Sequence, residues 1–305
     1  MIITFDIGGT TTKAGISTNG LEFNTELSES TCKPSVVGYP ESALRIHAIA
    51  TKLCAKLGVG FSEIHGLCIG VAGIATQAER TQLIDELYRV ANTRLDRLPK
   101  AHIVSDIECA YAGAFGNVDT PGIVILSGTG SVAYGKTASG EIYRSGGYGY
   151  PISDEGSGTW IAYQASKAVI AHLEGCGAAT KLTEILQQQF TITNIREFAL
   201  LVNNNNHILS QIPPLVFECC IDDTVANDII DQASTHLVQL ATSLTKKFTT
   251  RRNISCSIAG SVATHPIMSA RIGERCAIKP TSLKFQQPVG NGLHGALIIA
   301  KEIFG

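Results

Sequence analysis

A ten-residue stretch, GTGSVAYGKT at positions 128–137, matches two phosphate-binding patterns at once. Counted from Gly128 it fits the dinucleotide fingerprint G-x-G-x-x-A, and counted from Gly130 it fits the P-loop pattern G-x-x-x-x-G-K-T. Both patterns need a helix directly after the glycines, because the amides at the helix N-terminus hold the phosphate. Residues 137–140 and the strand-like EIYR after them predict a hairpin instead. We therefore expect neither pattern to be functional, and Lys136 to be a surface residue of a strand.

A third way of holding phosphate fits the same glycines. The Gly-Thr-Gly tip of a β-hairpin can lay backbone amides and a hydroxyl against phosphate oxygens, since glycine permits a close approach. Two such tips occur, at residues 8–12 and 128–131, and each follows an apolar run. Asp6 lies at the end of the first run. Two tips and a strand-end carboxylate predict a nucleoside triphosphate and Mg²⁺ held between two similar domains.

The elements that must position these residues alternate between strand and helix. Short apolar runs predict buried strands, and longer segments with helical periodicity separate them. Both halves of the chain run apolar strand, Gly-Thr turn, apolar strand, which indicates a weak internal repeat. The second half then adds helix-rich sequence, the strand ISCSIAGSV and a closing helix. This alternation predicts α/β architecture, with a boundary at NVDTPG, residues 117–122.

Composition narrows the classes of function. The 305 residues are 44% hydrophobic, enough to fill one large or two ordinary domains. A net charge of -2 gives no basis for binding nucleic acid or an anionic membrane, and no apolar run approaches the length of a membrane span. The nine cysteines are scattered without metal-site spacing and are expected to be reduced thiols in the core. We therefore expect a cytoplasmic protein that acts on a small molecule.

Five motifs occur in a characteristic order: FDIGGTTTKAG, SDIECAYAGAFG, LSGTGS, YPISDEGSG and IAGSVA. Over nearly the whole chain they resemble the N-acetylglucosamine kinase and bacterial glucosamine kinase group of the BadF/BadG-type ATPase family, within the actin-like sugar-kinase superfamily. The resemblance implies an α/β fold of two ribonuclease-H-like (actin-like ATPase) domains with an interdomain cleft. The implied domains are residues 1–117 and residues 118–289, the second with helical insertions. The closing helix, residues 290–305, is free to pack back on the first domain.

The resemblance also implies the catalytic machinery. Asp106 would be the general base that takes the proton from the 6-hydroxyl of a sugar. On sequence alone, Asp106 could instead cap the helix that follows it. Asp6 would orient hydrated Mg²⁺, and its alternative is an ordinary turn aspartate. The implied ATP-binding residues are Gly8, Gly9, Thr10, Thr11, Thr12, Lys13, Gly128, Thr129, Gly130, Ser131, Gly260 and Ser261.

A further set of residues is implied to bind the sugar. Asp154, in SDEGSG, would accept hydrogen bonds from sugar hydroxyls with Glu155 close by, and its alternative is a helix cap. Small residues would shape the pocket around them. The implied substrate residues are Lys33, Ser35, Ala72, Gly73, Asp106, Thr129, Gly147, Asp154 and Glu155.

Two positions depart from the family pattern. Relatives place a Gly-Gly pair against adenosine, whereas this chain has Gly260-Ser261; the serine could still cap the next helix. Many relatives have an asparagine before the proline of a sugar-contacting loop, whereas this chain has Lys33-Pro34. Lys33 could extend into water, or it could pair with an anionic substituent of the sugar.

The function implied by the resemblance is ATP-dependent phosphorylation of glucosamine or N-acetylglucosamine at the 6-hydroxyl. One alternative is a kinase for an anionic amino sugar such as N-acetylmuramic acid. Another is an ATPase that activates a CoA-ester dehydratase, although this chain lacks the spaced, glycine-flanked cysteines that would hold an iron-sulfur cluster. The expected cofactors are ATP and Mg²⁺, and the expected partners are a small amino sugar, no nucleic acid and no membrane, with a homodimer allowed.

Overall fold

The computed structural model describes residues 1–94, 96–192, 194–204, 206–249, 253–278 and 282–305. The chain divides into two compact units, here called unit 1 and unit 2. Unit 1 comprises residues 1–120 together with 288–305, and unit 2 comprises residues 121–287. Unit 1 is therefore built from two separate stretches of sequence.

Strands and helices alternate in both units. The strands are β1 (Ile2–Ile7), β2 (Thr11–Ser17), β3 (Thr25–Ser30), β4 (Gly66–Val71), β5 (Lys100–Ser105), β6 (Gly122–Ser127), β7 (Ser131–Lys136), β8 (Ile142–Gly146), β9 (Ile254–Ala259) and β10 (Leu283–Phe285). The helices are α1 (Pro34–Val37), α2 (Tyr39–Leu57), α3 (Gln77–Thr93), α4 (Asp106–Phe115), α5 (Gly158–Leu173), α6 (Leu182–Phe190), α7 (Ile195–Asn204), α8 (Asn206–Cys219), α9 (Thr224–Leu244), α10 (Pro266–Ala277) and α11 (Gly292–Phe304). The predicted α/β class is confirmed.

The two sheets share one topology. In unit 1 the strand order is β3-β2-β1-β4-β5, and in unit 2 it is β10-β9-β6-β7-β8, which is the same order read from the other edge. Each sheet begins with an antiparallel meander of three strands and continues with two strands parallel to the first. The internal repeat predicted from the two Gly-Thr turns is therefore confirmed as a repeat of the whole sheet.

The stretch that matched the P-loop pattern is a hairpin. Strands β6 and β7 pair with Ser127 opposite Ser131, and β7 then pairs antiparallel with β8, with Lys136 opposite Ile142. No helix follows the glycines at this point of the described chain, so the amides that a P-loop would offer to phosphate are absent there. The prediction that the matches to the dinucleotide fingerprint and to the P-loop pattern are accidental is confirmed.

The sheet of unit 1 has a core on each face. Along β1, Ile3, Phe5 and Ile7 pack on the side of α2 and α3, whereas Ile2 packs on the side of α4 and α11. Alternate residues of a strand point to opposite faces, so the two cores follow directly from the sequence. Helix α11, which comes from the end of the chain, thus covers the strand that carries Asp6.

Helices α4 and α11 cross at unusually close range. A Cβ atom built on Gly295 of α11 would overlap the carbonyl oxygen of Cys109, and one built on Gly113 of α4 would overlap the carbonyl oxygen of Asn291. The same Cβ atom built on Gly295 would lie 2.6 Å from the amide nitrogen of Gly113. Only glycine lets two helix backbones approach in this way. The crossing fixes the first turn of α11 against α4.

The core of unit 2 lies largely between its sheet and its helices. Helix α9 packs across β6, β7 and β8, and α5 packs against α8 and α9. Ile125, Ile161, Ile230 and Ile258 are fully buried in this core. In the part of the chain that the structure describes, no helix is long and apolar enough to cross a membrane.

Candidate active site

Asp106 is the first residue of α4, directly after β5. The N-cap of this helix is Ser105, whose hydroxyl accepts a hydrogen bond from the Glu108 amide at 3.2 Å. The Glu108 carboxylate in turn accepts from the Ser105 amide at 2.7 Å and from Arg80 at 2.8 Å. The alternative that Asp106 merely caps the helix is therefore wrong, because Ser105 occupies that position. The carboxylate of Asp106 is left available for chemistry.

The electrostatic surroundings of Asp106 favour its neutral form. Burial raises the pKa of its carboxyl group, and the nearby charge of Asp6 raises it further. The amide of Ile107, the charge of Lys33 and the amide of Asp106 itself act in the opposite direction, and the resulting pKa is about 6. A carboxylate with this pKa is a stronger proton acceptor than an ordinary aspartate and is still ionised at neutral pH.

The raised pKa predicts how Asp106→Asn changes stability with pH. Because the fold favours the neutral acid, the stabilising contribution of Asp106 is complete below its ordinary pKa of 3.8 and is lost as the pH rises through about 6. An asparagine does not titrate. We expect the variant to be more stable than the parent protein above pH 6, by about 3 kcal/mol without Mg²⁺, and to match it near pH 3.8. Thermal melts across this range measure the difference; one that does not grow with pH would contradict the raised pKa.

Asp6 lies next to the end of β1 and is partly buried. Burial raises the pKa of its carboxyl group, and Lys13, opposite it in the hairpin, lowers it. Its carboxylate receives no hydrogen bond from the residues that the structure describes. The first residue of α11, Gly292, packs directly on it. A partly buried carboxylate without a hydrogen-bond partner has the donor chemistry that hydrated Mg²⁺ requires.

The described residues contain no group of three or more side chains of the histidine, cysteine, aspartate and glutamate types that could hold a metal ion. Mg²⁺ does not need such a group, because it is usually held by one or two carboxylates together with phosphate oxygens and water. Asp6, with Asp106 close enough for their charges to interact, fits that pattern.

The first glycine-threonine tip divides its residues between two tasks. The Gly8 amide donates to the Thr11 carbonyl at 2.9 Å, which closes the turn. Thr10, Thr11 and Lys13 are exposed, as phosphate ligands would be, with Gly9 half-buried beside them. Thr12 is buried, and its hydroxyl accepts a hydrogen bond from the Cys32 amide at 2.8 Å. The structure thus places Thr12 apart from the other threonines of the tip.

Lys33 is half-buried and lies over Gly73. A Cβ atom built on Gly73 would be 3.4 Å from Cε and 3.5 Å from Nζ of Lys33. The Lys33 charge also reaches Asp106, where it lowers the carboxyl pKa. Lys33, Gly73 and Asp106 are therefore brought together in unit 1. Ala72 adjoins Gly73 and donates its amide to the Ile7 carbonyl at 2.8 Å, while Ser35 is exposed on α1.

The second tip is held by the segment before α5. The hydroxyl of Ser131 donates to the Glu155 carbonyl at 2.8 Å, and the Gly158 amide donates to the Gly128 carbonyl at 2.8 Å. The hydroxyl of Thr159 donates to the Thr129 carbonyl at 2.8 Å. These bonds place the tip at the N-terminus of α5, whose partial positive charge favours an anion. The side chain of Thr129 remains exposed.

Asp154 lies beneath this second tip. It is buried, it has a left-handed φ of 74°, and a Cβ atom built on Gly130 would come within 2.7 Å of its Oδ2. Burial raises the pKa of its carboxyl group, and the amides of Ser131 and Gly149 lower it. The N-cap of α5 is Ser157, so a capping role for Asp154 is wrong. Its Oδ1 is buried and has no hydrogen-bond partner among the described residues, which leaves it able to accept a hydrogen bond from a ligand.

Two other loops of unit 2 contain the remaining predicted residues, which are Gly147, Gly260 and Ser261. Gly147 has a φ of 77° and its carbonyl accepts a hydrogen bond from Arg144, within the loop that leads to Asp154. Gly260 has a φ of 87° and packs on the carbonyl of Ser127, which brings Ser261 beside Gly128. Ser261 does not cap a helix, because α10 begins only at Pro266 and its N-cap is His265.

Sequence reasoning missed several residues that position the site. The Ser105–Glu108 capping box was visible as S-x-x-E, but its ion pair with Arg80 was not. Gly292 and the glycines of the α4–α11 crossing left no local signal, because their partners lie far away in the sequence.

The chain is similar to known proteins over most of its length. The model of the BadF/BadG/BcrA/BcrD ATPase family matches residues 5–296. An N-acetylmuramic acid/N-acetylglucosamine kinase of Clostridium acetobutylicum is 39% identical over 127 residues, which are 42% of this chain and 39% of that protein. An N-acetyl-D-glucosamine kinase of Dictyostelium discoideum is 26% identical over 198 residues, 60% of this chain and 58% of that protein. The matches thus span about two fifths and three fifths of those relatives.

A solved structure has the same fold over the whole chain. It is a candidate N-acetylglucosamine kinase from Chromobacterium violaceum, with a TM-score of 0.77, 19% sequence identity and 98% of both chains covered.

Proposed function

This chain belongs to the BadF/BadG/BcrA/BcrD ATPase family, and we propose that it transfers the terminal phosphoryl group of ATP to the 6-hydroxyl of an amino sugar. The proposal rests on Asp106. Ser105, and not Asp106, caps α4, and the pKa of the Asp106 carboxyl group is raised to about 6. The acceptors we favour are glucosamine and N-acetylglucosamine. The names of the curated relatives support this class of acceptor.

In the proposed reaction Asp106 accepts the proton of the acceptor hydroxyl as that oxygen bonds to the terminal phosphorus of ATP. The bond from this phosphorus to the bridging oxygen breaks, and ADP leaves. The exposed residues of the tip at 8–12 and the tip at 128–131 hold the phosphates through backbone amides and hydroxyls. Asp6 would hold Mg²⁺ through water, and the ion, when bound, supplies positive charge to the phosphate oxygens. The unpartnered Oδ1 of Asp154 accepts a hydroxyl of the sugar, which makes binding sensitive to the loss of that hydroxyl.

An ADP-release assay tests this function. Glucosamine, N-acetylglucosamine and N-acetylmuramic acid are each supplied with ATP and Mg²⁺, and ADP formation is compared with a reaction that lacks sugar. We expect release above background with at least one of the three. Equal rates with and without every sugar would contradict the proposal.

A second candidate acceptor is an amino sugar that carries a carboxylate, such as N-acetylmuramic acid. It is favoured by Lys33, whose ammonium group lies beside Gly73 and within electrostatic reach of Asp106, without an acidic side chain within 4 Å among the described residues. A cation in this position can pair with an anionic substituent of the bound sugar.

The Lys33→Met variant separates the two acceptors. Methionine keeps the apolar stem and removes the charge, so we expect KM for N-acetylmuramic acid to rise about 10-fold to 100-fold while KM for N-acetylglucosamine changes little. The assay belongs at pH 8, because loss of the Lys33 charge also raises the pKa of Asp106 and would lower activity nearer pH 6. An equal rise in KM for both sugars would show that Lys33 does not pair specifically with the carboxylate of N-acetylmuramic acid.

The alternative role, activation of a CoA-ester dehydratase, finds little support in the cysteines. Eight of the nine thiols are buried, and Cys176 alone is exposed. Thiolate ligands of an iron-sulfur cluster shared with a partner subunit would need to reach the surface. The kinase proposal therefore remains the better one.

A further inference from the structure

The first residue of α11 faces the carboxylate of Asp6. A Cβ atom built on Gly292 would lie 2.5 Å from Oδ2, 2.9 Å from Cγ and 3.1 Å from Oδ1 of Asp6. Real side chains do not approach this closely. The carboxylate therefore occupies the space that any side chain at position 292 would fill.

Packing is what holds this carboxylate in place. The carboxylate of Asp6 receives no hydrogen bond from the described residues, and Lys13, whose charge acts on it, is exposed on the neighbouring strand. Without a hydrogen bond to fix its torsion angle, the orientation of the carboxylate depends on the surfaces around it.

Helix α11 cannot move aside to make room. Gly295 packs on the Cys109 carbonyl and Gly113 packs on the Asn291 carbonyl, so backbone meets backbone on both sides of the first turn. Asn291 also caps α11 by accepting the His294 amide at 3.1 Å. A side chain added at position 292 must therefore displace Asp6 rather than the helix.

We propose that Gly292 is a positioning residue for Asp6, which orients the carboxylate toward the Mg²⁺ of the nucleotide. The proposal rests on the proposed function only in taking Asp6 as the residue that holds the ion. It assigns a role in nucleotide binding to a residue that lies nearly 290 positions away from Asp6 in the sequence.

The test measures binding in the absence of sugar. Mg²⁺ is titrated by calorimetry into the protein with a nonhydrolysable ATP analogue, using the parent protein and the variants Gly292→Ala, Asp6→Ala and the two combined. We expect Gly292→Ala to raise the Mg²⁺ concentration for half-saturation about 10-fold to 100-fold, as the loss of a supporting contact to a metal ligand does. The combined variant should behave like Asp6→Ala alone, because the displaced carboxylate is then missing.

Thermal melts of the same four proteins separate positioning from folding. Alanine is a better helix former than glycine. The combined variant should therefore have a melting temperature no lower than that of Asp6→Ala alone. As a control, Gly60→Ala, where the nearest atom would be Ser62 Oγ at 3.7 Å, should alter neither the melt nor the Mg²⁺ titration. Should Gly292→Ala fail to fold, recovery of folding in the combined variant would still support the contact.

Three outcomes would overturn the proposal. They are an unchanged Mg²⁺ titration in a folded Gly292→Ala protein, an effect that adds to that of Asp6→Ala, and a melting temperature lowered equally with and without Asp6. A parent protein that binds the nucleotide with Mg²⁺ but phosphorylates no sugar would refute the proposed function and leave this inference standing.

Discussion

The Asp106→Asn variant is expected to lose a factor of about 10²–10⁴ in kcat while its KM for the sugar changes little. Asparagine keeps the shape of the side chain and its capacity to accept a hydrogen bond from the substrate. It cannot take up the proton, which is the step assigned to the carboxylate. The same variant is expected to be more stable than the parent protein above pH 6, so lost activity cannot be attributed to unfolding.

The measurement is kcat and KM for the best acceptor, at pH 8 and saturating ATP. Asp85→Asn is a suitable control, because Asp85 is an exposed carboxylate of α3 in the same unit. It should leave both constants unchanged. Retention of more than a tenth of the parent kcat by Asp106→Asn would exclude a role as general base.

The Gly295→Ala variant should produce the largest loss of stability. Its Cβ atom would overlap the backbone carbonyl of Cys109, and neither helix of the crossing has room to retreat. Forcing an extra methyl group into a packed core typically costs 1–3 kcal/mol, and we expect a backbone clash to lie at the upper end, about 3 kcal/mol. For a protein of this size that corresponds to a melting temperature lower by about 6–12 °C.

Two further variants make this prediction specific. Gly113→Ala places the same overlap on the opposite helix, against the Asn291 carbonyl, and should destabilise the protein comparably. Gly60→Ala, with only ordinary contacts, should shift the melting temperature by less than about 2 °C. Equal small shifts for all three would show that the two helices can separate more easily than their backbone contacts suggest.

The hairpins that carry the two tips could be predicted because their signals are local. A β-strand, a Gly-Thr turn and a second strand are specified within about 15 residues. The absence of a helix after Lys136 also followed from the turn residues at 137–140. This is why the P-loop match could be rejected from the sequence.

Helix caps were harder to predict, because the sequence left Asp106 and Asp154 open as alternative caps. Ser105 rather than Asp106 caps α4, and Ser157 rather than Asp154 caps α5. In both cases a serine hydroxyl close to the aspartate accepts a hydrogen bond from a backbone amide in the first turn of the helix. Sequence patterns locate helix boundaries only to within a few residues, so they cannot choose between neighbouring candidates.

The contacts that position the site could not be predicted at all. Asp6 meets Gly292, and Gly113 meets Asn291, across more than 170 residues in each case. Glycine in a helix usually weakens it, and nothing near position 295 signals that a second backbone lies against it. Such residues can be found only from the three-dimensional arrangement of the helices.

The division of unit 1 between residues 1–120 and 288–305 has a consequence for biosynthesis. A ribosome must deliver all of unit 2 before α11 exists, so Ile2 and Val104 lack the cover of α11 in the nascent chain, although α4 on the same side of the sheet is already made. All strands and helices of unit 2 have been synthesised before α11. It can therefore fold during translation, whereas unit 1, which carries Asp6 and Asp106, is finished only after chain growth has passed residue 288.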